Sequence, residues 1–215
     1  MLKPPIISSA KPLKRPLQAR AKFTVQAIFD AFVRIWRRDG WERLTTRAVA
    51  LETGIAVGTL YDYFPNKSAL LSGYVRHCIE QLLREIAAQA VAPPGLEWRV
   101  RIAVLTRLVC GVDAPELPWF DAQMLALEAQ IAEPKHHRRV HEELTQAWHC
   151  VFAACTDLAA PPPAALAEAL HLSVWGARRY GLLIALDAEQ MRQWAGQAER
   201  ICIAAIAASQ PAPAA

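Results

Sequence analysis

The sequence predicts an all-α protein. Apolar residues recur at the 3.6-residue helical period through most of the chain, and no stretch alternates with the period of two that a half-buried strand requires. Glycines and prolines fall between the periodic stretches, where helices end. Together these features predict an N-terminal three-helix helix-turn-helix domain followed by a larger α-helical bundle.

Residues 1–17 are rich in Pro, Lys and Arg without periodicity and are expected to be a disordered basic arm. Val25, Ile28, Phe29, Phe32, Ile35 and Trp36 then mark one stripe of a first helix, which Gly40 stops. Thr45 carries a hydroxyl suited to cap a second helix opening at Thr46. This helix runs to about Thr53, and Gly54 turns the chain. A third helix spans about Val57 to Tyr63 and Pro65 closes it. Asn66 can cap a long fourth helix from Lys67 to about Ala90. The break "APPG" at 92–95 follows, and further helices are expected at about 96–110, 119–132, 136–158, 164–185 and 188–209. Asp187 with Gln190 has the spacing of a capping box. The resulting division is a helix-turn-helix domain over 18–66 and a bundle over 67–210, with a linking helix over 67–91.

Bulk properties narrow the function. The 215 residues carry a formal net charge of +4, unevenly spread. Residues 1–67 hold twelve Lys and Arg against five Asp and Glu, and the remainder holds twelve against fifteen. A basic third ahead of a slightly acidic remainder suits a module facing a polyanion. No run of eighteen apolar residues occurs, so no membrane span is expected. The start lacks the apolar segment of a secretory signal, so a cytoplasmic location is expected. The five cysteines are odd in number and form no CxxC pair, which supports neither a disulfide framework nor a zinc knuckle. They are expected to be free, mostly buried thiols.

The stretch "LTTRAVALETGIAVGTLYDYFPNKSALL", Leu44 to Leu71, carries the chemistry. Two short helices joined by a glycine turn have the geometry in which the second helix enters a DNA major groove. Val49, Ala50, Ile55, Leu60 and Phe64 can meet the first helix. The opposite face of the third helix offers Val57, Gly58, Thr59, Tyr61 and Tyr63. Gly58 allows close backbone approach, Thr59 has a hydroxyl and a methyl for phosphate or base, and both phenols can donate to phosphate oxygens. Thr46 and Arg47 open the second helix and Lys67 the fourth, where free N–H groups favour an anion. The third helix has no Arg, Asn or Gln, so bidentate base readout from it is not expected.

This stretch resembles the N-terminal signature of TetR-family transcriptional regulators. The resemblance rests on Thr46-Arg47, Ala50, Gly54-Ile55, Gly58-Thr59-Leu60-Tyr61, Tyr63-Phe64, Asn66-Lys67 and Leu70-Leu71, and with the first helix it covers about residues 19–75. It implies a homodimer on palindromic operator DNA, usually a repressor, released when a small-molecule effector fills the C-terminal bundle. No other cofactor is implied. Ala56 departs from the Ser or Thr that often caps the third helix in the family. A cap of that kind contributes about 1 kcal/mol. Ala48 and Ala69 replace frequent acids.

Within the bundle, Trp98, Trp119, Phe120, Met124, Trp148, Phe152, Trp175 and Tyr180 can line an apolar chamber with His171 and Arg178 as polar handles, though each aromatic suits ordinary core packing as well. His136, His137 and His141 in "KHHRRVH" read as a solvated charged face and not as a metal site. His149 and Cys150 are neighbours pointing about 100° apart on a helix, so they form no catalytic pair, and enzyme activity is not expected. The last two helices are expected to form the dimer surface. The final helix would contribute its Met191, Trp194, Ala195, Ala198, Ile201, Cys202 and Ala205 stripe. A DNA-binding protein that recruits a partner without any effector is the alternative reading, and an enzyme using the His- and Cys-bearing bundle is the last.

Overall fold

The computed structural model describes residues 19–211, so the basic arm over 1–17 lies outside the described residues. Every regular element among them is helical: α1 (Ala19–Arg43), α2 (Thr46–Thr53), α3 (Val57–Tyr63), α4 (Lys67–Glu85) continuing into a π-helical turn (Ile86–Val91), α5 (Trp98–Cys110), α6 (Ala122–Ile131), α7 (Pro134–Ala154), α8 (Ala164–Leu183) and α9 (Ala188–Ala208). The chain divides into two compact units. One runs through His77 and includes Leu127–Ala132; the other comprises Cys78–Ala126 and the chain from Glu133 onward.

The N-terminal unit is built on the stripe of α1. Ile28, Phe29, Phe32, Ile35 and Trp36 are all buried. Gly40, at φ 77° and ψ 169°, breaks the helix before Trp41 folds back on Trp36 at 5.2 Å between ring centroids. Only glycine adopts such a conformation without penalty. Thr45 caps α2 by accepting from the Ala48 N–H at 3.1 Å. Gly54 ends it in the left-handed region, with φ 75°. Asn66 accepts from the Ala69 N–H at 2.8 Å and so caps α4. Tyr74 of α4 packs against Phe29 and Phe32, with centroids 5.6 and 5.2 Å apart. Offset aromatic contacts of this kind fix side-chain orientation as well as burying area. On the outside, Arg34 and Arg38 of α1 hold Glu52 of α2 at 3.1 and 3.4 Å.

The C-terminal unit has its own core, formed by Leu82 and Ile86, Ile102 and Leu105 of α5, Leu144 and Trp148 of α7, Leu170 and Val174 of α8, and Ala198 and Cys202 of α9. Arg101 is 4% exposed inside it. Its guanidinium donates to the carbonyls of Ala90, Val91, Pro93 and Leu96 at 2.7, 3.1, 2.7 and 3.0 Å. The carbonyls left over where α4 ends in its π-helical turn thus find a charged donor rather than water. Asp187 caps α9 through a reciprocal capping box with Gln190. All five cysteines are free; Cys110, Cys155 and Cys202 are buried, whereas Cys150 is exposed. Among the described residues no helix is long and apolar enough to cross a membrane.

Candidate nucleic-acid interface and bundle interior

Glycine at 54 turns the chain within two residues, and the apolar residues of α2 and α3 are drawn inward. Val49, Ala50, Leu60 and Phe64 are buried, while Ile55 is half-buried. Burying those side chains leaves the polar residues of α2 and α3 outside. Arg47, Gly58, Thr59 and Tyr61 are exposed, and Thr46, Val57 and Tyr63 are half-exposed. The Tyr61 and Thr46 hydroxyls lie 3.1 Å apart and share a hydrogen bond. That bond ties the start of α2 to the middle of α3. It fixes a flexible phenol in one orientation before any ligand arrives, which lowers the ordering penalty of binding. Residue spacing gave no sign of this link, because the partners stand fifteen positions apart on different helices.

Ala56 precedes α3 in an extended conformation and provides no side-chain cap. The first N–H groups of this helix therefore have no side-chain cap at its start. Lys67 sits at the start of α4, but its ammonium donates to the Trp41 carbonyl at 2.8 Å and lies 4.1 Å from the centroid of the Trp41 ring. Lys67 thus closes the bend after Gly40. An ammonium has three donors, so this internal bond leaves room for an outward acceptor.

The chamber residues expected in the bundle separate into groups. Arg178 lies over Trp175 at 5.3 Å and Phe120 at 6.0 Å, and its Nε donates to the Cys110 carbonyl at 3.3 Å. Its guanidinium also sits 3.1 Å from where a Cβ on Gly111 would stand, so it seals the end of α5. Trp148 and Phe152 meet edge-on at 6.1 Å in the core, and His171 is 1% exposed. Trp98 is buried at the start of α5, its backbone N–H donating to the Asp157 carboxylate at 3.0 Å. Met124 is fully buried and Trp119 half-buried. Tyr180 differs from all of these: it is 64% exposed and lines no interior.

Two expectations are corrected. The histidine-rich start of α7 is not one solvated face. His137 is exposed and His136 belongs to the cap with Glu133, but His141 turns inward to lie 5.2 Å from the His171 ring. Helical phase accounts for this, because 141, 148 and 152 share one side of α7 and that side is the buried one. Much of the apolar stripe of α9 likewise turns to the interior. Met191, Ala195, Ala198, Cys202 and Ile206 are buried in the core, and Ile201 stands 62% exposed on the other side.

The chain is similar to known regulators over its N-terminal unit and to their fold over most of its length. Residues 20–73 match the model for bacterial regulatory proteins of the tetR family. The transcriptional repressor KstR of Rhodococcus jostii is 38% identical over 68 residues, 32% of this chain and 30% of that protein. The nucleoid occlusion factor SlmA of Haemophilus influenzae is 31% identical over 85 residues, 39% of this chain and 37% of that one. The matched region thus spans about a third of the length of these curated relatives. A TetR transcription regulator from Haloarcula marismortui superposes with a TM-score of 0.63 at 18% identity, covering 88% of this chain and all of that one. The SmeT–triclosan complex superposes with a TM-score of 0.57 at 17% identity over 85% of this chain and 91% of that one. Residues 20–73 thus match the tetR family of bacterial regulatory proteins, and the chain shares its all-α fold with a solved TetR transcription regulator over most of its length.

Proposed function

We propose that this chain is a one-component transcriptional regulator, a repressor that binds palindromic operator DNA as a homodimer and leaves it when a small molecule enters the C-terminal bundle. The observation that carries the reading is the outward face of α2 and α3, where Arg47, Thr59 and the Thr46–Tyr61 pair stand exposed above a fully apolar interior. Residues 18–66 serve as the reading head. Phosphates are engaged by Thr46, Arg47, Tyr61, Tyr63 and Lys67, which set position. Val57 and Thr59 offer apolar contact to thymine methyls, and Gly58 lets the backbone come close. Sequence preference comes in good part from duplex shape, since α3 has no bidentate base reader.

Residues 67–210 hold the effector and the dimer surface. The name of KstR, a transcriptional repressor, and the triclosan bound by SmeT support repression and effector binding respectively. An effector favours one of two states of the bundle, and α4, continuous from the head into the bundle, carries the difference. A second reading, a DNA-binding protein that acts through a partner without an effector, rests on the same exposed face of α2 and α3.

Selecting bound fragments from genomic DNA and titrating them in gel shifts tests the first reading. Tyr61→Ala is expected to weaken binding about tenfold or more with the helical circular dichroism unchanged. Arg47→Ala should weaken all fragments alike and reduce the salt slope by about one unit. Tyr61→Ala binding as tightly as the wild-type protein would remove α3 from the groove.

A further inference from the structure

The face of α7 that turns inward carries polar atoms for which the fold supplies no partner. His141, Thr145, Trp148 and Phe152 fall at i, i+4, i+7 and i+11, within an arc of about 60° on the helix. Opposite them α8 buries Leu170, His171 and Val174. Trp148 is 0% and His171 1% exposed. The Trp148 indole N–H, both His171 ring nitrogens, the Thr145 hydroxyl and His141 Nδ1 are sealed from solvent and make no hydrogen bond. The two imidazoles lie 5.2 Å apart. Each such group left unpaired costs about 1–3 kcal/mol. A bundle that needed only a core would have apolar residues at these positions.

The chemistry of the cluster selects its complement. The indole can only donate, while the hydroxyl and a neutral imidazole both donate and accept. A hydroxyl or carbonyl oxygen on the ligand satisfies such a set. Charge narrows it further. Burial, reinforced by His141, depresses His171 to about 4, so its ring is neutral near pH 7. The Glu168 carboxylate stands 3.4 Å from His141 Nε2. An anionic ligand would meet a neutral ring and a nearby negative charge, and desolvating it there is unfavourable. Phe152, edge-on to Trp148, continues the site as an apolar wall.

We propose that His141, Thr145, Trp148 and His171 recognise the hydroxyl or carbonyl oxygen of an uncharged, otherwise apolar effector. This inference rests on the effector reading above and names the chemical class of that ligand. Equilibrium dialysis of the full chain against three probes with the same apolar body tests it: 2-naphthol, naphthalene and 2-naphthoate. The expected result is a preference for 2-naphthol of about tenfold or more over both others, lost in Thr145→Val and His171→Leu. In the ligand-free protein each of these variants should raise Tm by about 2–4 °C, because an unpaired buried polar group is removed.

A lower Tm in both variants would mean that the polar atoms hold the fold together through water, and would overturn the proposal. So would equal or tighter binding of naphthalene or 2-naphthoate, a preference that persists in the variants, or no binding by any probe. DNA binding is scored separately by gel shift of selected genomic fragments. Failure there removes the regulator reading, and the dialysis result still decides the chemistry of the cluster.

Discussion

Ala56 stands in extended backbone, φ −64° and ψ 141°, where a capping residue would sit, and its methyl has nothing to offer the first turn of α3. The conformation already suits a hydroxyl cap, so Ala56→Ser is expected to stabilise the free protein by about 0.5–1 kcal/mol, measured by urea unfolding without DNA. An unchanged midpoint would show that those N–H groups gain nothing from a local acceptor. His171 makes the opposite kind of prediction. Its folded pKa is lowered from 6.5 to about 4 by burial, with His141 adding repulsion. Between those values the unfolded chain binds a proton that the folded chain does not, so the histidine's contribution is intact above about pH 6.5 and is lost as pH falls towards 4. Thermal unfolding from pH 7 down to pH 4.5 should therefore show a smaller fall in Tm for His171→Leu than for wild type. Parallel curves would mean that the ring is already protonated or solvated in the fold.

Turns and caps decide how these helices begin and end, and the bend between α8 and α9 shows how. Ala185 has φ 57°, a left-handed conformation that favours glycine, while the N–H of Leu186 closes on the Gly181 carbonyl at 3.0 Å. Ala185→Gly removes about 1–2 kcal/mol of backbone strain but adds chain entropy to the unfolded state. A net stabilisation of about 0.5–1 kcal/mol is expected in chemical denaturation; a loss of stability would show that the bend depends on the alanine methyl. Element limits of this kind were largely legible in the sequence. Gly40, Thr45, Gly54, Asn66 and the Asp187–Gln190 pair each act through their immediate neighbours, and α2 and α3 begin and end where those residues put them. What a helix face meets was less legible. Periodicity identifies a stripe but not its partner: Met191, Ala195, Ala198 and Cys202 of the α9 stripe are buried in their own core, while Ile201 of the same stripe stands exposed. His141 looked solvated because Arg138 and Arg139 precede it, yet its phase on α7 turns it inward. The Thr46–Tyr61 bond and the four carbonyls held by Arg101 are long-range or backbone contacts, which leave no mark in residue spacing.

At the scale of the whole molecule, one surface has apolar residues that the C-terminal unit does not bury. Leu172, Gly176, Tyr180 and Leu183 fall at i, i+4, i+8 and i+11 on α8, and Ile184 follows as its C-cap. The four large ones are 53%, 64%, 56% and 51% exposed. Ile201 adds an exposed apolar side chain on α9. A continuous stripe of this size in water marks an association surface. In the proposed homodimer, the stripe meets its own copy about a twofold axis, so each leucine is buried twice by one symmetric contact. That symmetry makes the interface sensitive to a single change. Leu183→Glu places a carboxylate on both sides of the axis, where the two like charges repel and each must lose water. The expected outcome in sedimentation is a shift from a dimer towards the 23.8 kDa monomer, with circular dichroism unchanged because Leu183 lies outside the core. Operator affinity should fall with it, because two heads on one dimer gain from effective concentration on a palindrome and a single head does not. Raising the protein concentration until Leu183→Glu dimerises should restore the affinity in part. A variant that stays dimeric and binds the palindrome as tightly as wild type would move the twofold axis away from α8 and leave its apolar stripe to another partner.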